Sequence, residues 1–169
     1  MRRLGPLLLI TFGVVTMLAG FGLWRFQNVT AHPGPATLPD RLAGLALASS
    51  VYGDEAVREI SRLHSEDFPL SSGAVGMYGL QHPITIWVTG TPAALLASRL
   101  LGEMKMKIGE GQTPFHPVTE REDRSRTIYE LEGMGQKHFY FQSHNLLVWL
   151  AADPDLAELA LEDTLKFYP

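Results

Sequence analysis

Hydrophobic and polar residues follow two regimes along this chain. From Leu4 to Trp24 no residue is charged and most are apolar. After Asp40 the apolar residues recur with short periods, every second residue in some stretches and every third or fourth in others. The first regime predicts one long N-terminal helix. The second predicts strands and amphipathic helices built around one core.

Helical residues rise about 1.5 Å each, so about 20 of them cover a hydrocarbon core of about 30 Å. The stretch 4–26 is therefore expected to be a single transmembrane anchor, with Trp24 and Phe26 at the interface. Arg2 and Arg3 precede it and only Arg25 closely follows. The positive-inside bias places residues 1–3 in the cytoplasm as a short tail. The expected address is the cell membrane, with the C-terminal domain on the extracytoplasmic side. A rival expectation is a signal peptide cleaved after Val29-Thr30-Ala31. Thr16 and Gly20 form a small-residue pair suited to packing a second helix. Residues 27–39, rich in Pro and Gly, read as a linker.

Residues 40–169 are expected to form an α+β domain: an antiparallel sheet with about three helices on one side. The order reads βαββαββββα. Leu42–Val51 is apolar and reads as strand or short helix. A helix over 54–65 presents Ala56, Ile60 and Leu63. Residues 115–122 and 126–133 read as a hairpin with Asp123-Arg124-Ser125 at its tip, and Gly133–Gln136 as the next turn.

An internal repeat organises this domain. At a constant offset of 62, residues 78–92 align with 140–154, and the repeated units extend over 78–108 and 140–168. The alignment equates Tyr78 with Tyr140, His82 with His144, Trp87 with Trp149 and Pro92 with Pro154. Each unit reads strand, turn, strand, helix. Thr91-Pro92 and Asp153-Pro154 have the form of an N-cap followed by a proline in the first turn. The first helix then carries Leu96, Leu100, Met104 and Ile108 on one stripe. The second carries Leu161, Leu165 and Tyr168, supported by Leu156 and Leu159, with Asp155, Glu158, Glu162 and Asp163 facing water.

Charge narrows the partners. Of 14 Lys and Arg, three lie in or beside the N-terminal segment, leaving 11 against 18 Asp and Glu, a net of −7. Such a domain repels nucleic acid. The absence of cysteine removes disulfides, thiolate metal sites and thiol nucleophiles. No Gly-x-Ser-x-Gly, His-Glu-x-x-His, phosphate-cradling or calcium-loop pattern occurs, and no cofactor is implied.

Two functional expectations follow. The first is a membrane-anchored, non-catalytic binding or accessory domain, serving a protein partner in or at the membrane. Its aromatic face would comprise Tyr78, Tyr140, Trp87 and Trp149. On a strand, Phe139 and Phe141 point to one side and Tyr140 to the other, so both faces of the sheet need cover. The alternative is a tethered hydrolase or metal-dependent enzyme using His116 and His138 with a nearby carboxylate such as Glu120. The two differ in one observable: an enzyme needs a pocket histidine with a carboxylate in reach.

Overall fold

The computed structural model describes residues 4–31, 35–63, 70–81, 83–111, 113–124 and 126–169, with side chains from Thr11 to Arg25 in the first helix. The chain divides into two compact units, Met1–His32 and Pro33–Pro169.

The first unit is helix α1, Leu4–Ala31. Every side chain described along it is exposed, including Phe12, Met17 and Trp24. The Thr16 hydroxyl donates to the Phe12 carbonyl, one turn back. The expected transmembrane anchor, and with it the cell-membrane address and the extracytoplasmic placement, is overturned. Among the described residues no helix is long and apolar enough to cross a membrane. The described side chains of α1, 11–25, include Thr11, Gly13, Thr16, Gly20, Gly22 and Arg25. The expected tail 1–3, and the side chains of Phe26 and of Val29-Thr30-Ala31, lie outside the described residues.

The second unit is α+β. Its elements are β1 (Arg41–Leu42), β2 (Leu45–Tyr52), α2 (Gly53–Leu63), β3 (Ser72–Tyr78), β4 (Ile84–Gly90), α3 (Ala94–Gly109), β5 (His116–Asp123), β6 (Arg126–Gly133), β7 (Gln136–Ser143), β8 (Leu146–Ala152) and α4 (Pro154–Phe167). The strands form one sheet in the order β1-β2-β3-β4-β8-β7-β6-β5, every neighbouring pair antiparallel. Within Leu42–Val51, Leu42 ends β1 and the residues from Leu45 onward belong to β2. Two-residue turns with positive φ at Ala43-Gly44 and Met134-Gly135 close the β1–β2 and β6–β7 hairpins.

The helices do not share one side, as the sequence suggested. Helix α4 covers one face of the sheet, while α2 and α3 cover the other. Period-2 alternation feeds both layers. Ile84, Ile86 and Val88 of β4, Phe139 and Phe141 of β7, and Val148 and Leu150 of β8 meet Ala157, Ala160 and Leu161 of α4. Each large apolar side chain buried there contributes about 1.5–3 kcal/mol. Ala36 and Leu38, from the proline-rich segment, join this core, and the Pro39 carbonyl accepts from the Tyr78 hydroxyl at 2.7 Å.

Local chemistry fixes α4. Asp153 stands at its N-cap and Pro154 in its first turn, without a side-chain cap bond. At the other end the Arg126 guanidinium donates to the carbonyls of Leu165 and Tyr168, a favourable cation at a helix C-terminus. Leu159 is 49% exposed and lies off the buried stripe. Glu158 is drawn back to the sheet: Arg121 bridges it at 2.9 Å and also contacts Glu130. Glu130 has a 5%-exposed side chain and takes Lys137 at 3.0 Å as well. Helix α3 begins after an uncapped Ala93. Thr91 instead exchanges hydrogen bonds with Asn145, tying the β4–α3 junction to the β7–β8 turn.

The repeat is only half realised. Trp87 and Trp149 are direct partners across the β4–β8 pair, at the centre of the eight strands. Ile84 pairs with Tyr78, but Leu146 pairs with Ser143. Tyr78 therefore corresponds in space to Ser143, three residues from Tyr140. An odd shift sends the two tyrosines to opposite faces.

Candidate functional site: an apolar cleft between two helices

A row of successive cross-strand partners runs over the face that carries α2 and α3. It reads Glu120, Tyr129, Tyr140, Trp149, Trp87, Val75, Val51. The rings of Tyr129 and Tyr140 stack at 4.8 Å and 18°, and those of Tyr140 and Trp149 at 5.3 Å and 15°. Lys105 of α3 closes the outer end, with its ammonium 5.1 Å from the Tyr129 ring centre and 2.8 Å from Glu120.

At the inner end the row opens into a cleft of about 550 Å³. Trp87, Trp149 and Tyr140 line it from the sheet. Ile60 of α2 and Leu70 line one side, and Leu100, Leu101 and Met104 of α3 the other. Its two helical walls belong to separate hydrophobic clusters. Ala56, Ile60 and Val75 take Trp87; Ile108, Leu131 and Tyr140 take Trp149. Glu103 and Lys107 also line it from α3. A volume of this size with an apolar lining suits a small molecule.

His138 sits at one end, 4% exposed, with the Phe115 ring 4.7 Å away. Its two nitrogens are both engaged. Trp149 Nε1 donates to Nδ1 at 3.2 Å, and Nε2 lies 3.0 Å from the Gly133 carbonyl. An indole N–H only donates and a carbonyl only accepts. Nδ1 is therefore unprotonated and Nε2 carries the hydrogen. Burial holds this imidazole below its ordinary pKa, and the Gly133 hydrogen bond only partly offsets that. Tyr140, buried beside it, is shifted upward by the same desolvation.

The expected enzymatic group is not assembled. His116 is exposed on β5, Glu120 is paired with Lys105, and His138 is occupied by Trp149 and Gly133. Among the described residues no three of His, Asp and Glu come together as a metal-binding group. Of the four aromatic residues expected on one face, Trp87, Trp149 and Tyr140 share the cleft. Tyr78 lies on the opposite face, fully buried with Ala36 and Leu38. His82, which the alignment equates with exposed His144, lies outside the described residues. The stack from Tyr129 is not legible in the sequence, because cross-strand register fixes it. A second hollow, of about 430 Å³, lies near the β5–β6 and β7–β8 turns. Several of its polar groups are committed: Arg126 to Asp123 and the end of α4, Ser143 to the Pro169 carbonyl.

Comparison of the chain with protein-family models, with curated proteins and with solved structures finds no match.

Proposed function

We propose that residues 33–169 form a non-catalytic binding domain that takes a small, uncharged, apolar ligand into the cleft between α2 and α3. The supporting observation is the state of His138. It is the pocket histidine an enzyme would use, yet both its nitrogens serve to hold Trp149 and the Gly133 turn. Among the described residues no buried side-chain polar atom lacks a hydrogen-bond partner. The cleft thus offers burial of apolar surface, about 25 cal/mol per Å², and no group prepared for proton transfer. The net charge of these residues, 11 Lys and Arg against 18 Asp and Glu or −7, disfavours nucleic acid as the ligand.

The test uses the full-length chain and the neutral dye N-phenyl-1-naphthylamine, excited directly. Saturable emission at one dye per chain, abolished by Met104→Trp, is the expected result. That substitution fills the cleft from α3. Emission that rises without saturation, or that Met104→Trp leaves unchanged, contradicts the proposal.

A further inference from the structure

The stack of rings across the sheet stops one strand short. Tyr140 covers one face of the Trp149 indole from the β7 side, nearly parallel to it. The Phe115 ring also meets that indole, with centroids 5.1 Å apart at 60°, and on β4 the direct partner of Trp149 is Trp87. No ring contact between Trp87 and Trp149 is found among the described residues, although their backbones are adjacent. Trp87 leans into the α2 cluster, and Trp149 is held back by its bond to His138 and its stack on Tyr140. Both indoles line the cleft.

We infer that the ligand of this cleft carries a planar aromatic ring, which packs against the indoles of Trp149 and Trp87. The inference rests on the binding reading above and names the chemical class of its ligand. A flat, electron-rich surface rewards a flat partner, because stacked rings gain attraction beyond the area they bury. An aliphatic chain gains the area term alone. The surroundings match a neutral ring. The walls contributed by Ile60, Leu100 and Met104 are apolar, and α3 adds one acid and one base, Glu103 and Lys107. Glu103 is already paired with Arg99 at 2.9 Å. The cleft of about 550 Å³ exceeds a single ring, so the ligand extends past the indoles along α3.

A matched pair of competitors tests this. 2-Naphthol and 2-decalol share one carbon skeleton, the first planar and aromatic, the second saturated and puckered. Each displaces the dye from the full-length Trp24→Phe chain, whose remaining indoles are Trp87 and Trp149. The expected result is half-displacement by 2-naphthol at about one-tenth the concentration of 2-decalol. Trp149→Leu should erase that preference, and Trp87→Leu should reduce it, which keeps the test usable if one variant fails to fold. Equal displacement by both alcohols overturns the aromatic inference and leaves the binding domain standing. No binding of the dye overturns both.

Discussion

The Nε1–H of Trp149 donates to Nδ1 of His138 at 3.2 Å, which fixes the histidine's tautomer and the indole's position together. The pair joins β7 to β8 on the cleft face. A histidine whose folded pKa is depressed stabilises the fold fully above its ordinary value of 6.5, and that stability is lost as pH falls toward the depressed value. Unfolding free energy should therefore decline as pH drops below about 6.5. The decline should vanish in His138→Phe. That variant should also cost about 1–3 kcal/mol at neutral pH, because the indole N–H and the Gly133 carbonyl lose their partner. Urea melts across pH 5–8 check both parts. An unchanged slope in the variant contradicts this account.

Glu130 is the shared anion of Arg121 and Lys137 beneath α4. Removing one member of a fully buried ion pair costs about 3–5 kcal/mol. Arg121 retains Glu158 and is 36% exposed, so Glu130→Ala should cost about 2 kcal/mol. Glu158 is 58% exposed, and Glu158→Gln should cost less than about 1 kcal/mol. Chemical denaturation of the two variants should rank them in that order.

Gly73 lets α2 approach the sheet. A Cβ placed there would lie 2.9 Å from the Val57 backbone nitrogen and 3.1 Å from its Cγ2. Gly73→Ala should destabilise the domain by about 1–3 kcal/mol. It should also weaken dye binding, since α2 forms one wall of the cleft. A variant with unchanged stability and affinity would show that the contact is not close in solution.

The stripe on α4 separates two leucines. Leu161 is 4% exposed and Leu159 is 49% exposed. Leu161→Ala should cost about 2–5 kcal/mol, while Leu159→Glu should stay within about 0.5 kcal/mol. Thermal unfolding of each distinguishes them.

Particular residues show how much of this was legible beforehand. Alternation at Phe139, Tyr140 and Phe141 called for cover on both sides of the sheet, and α4 and α3 supply it. The stripes Leu100–Met104–Ile108 and Leu161–Leu165 marked helices, but an amphipathic stripe does not say which face of a sheet it meets. The Tyr78–Tyr140 equivalence failed because five residues separate Tyr78 from Ile84 and two separate Ser143 from Leu146. The difference, an odd number, reverses the side each tyrosine faces. Trp87 and Trp149 kept their equivalence because both follow those connections at the same distance. The cleft itself was invisible, since Ile60, Met104 and Trp149 come from distant segments and only the tertiary fold joins them.

The most direct measurement is the indole region of a ¹⁵N–¹H spectrum of the full-length chain, which carries one signal each from Trp24, Trp87 and Trp149. Titration with 2-naphthol should move the Trp87 and Trp149 signals together, to saturation, and leave Trp24 in place. Movement of Trp24 alone, or of none of the three, would contradict a ligand site over the two indoles between α2 and α3.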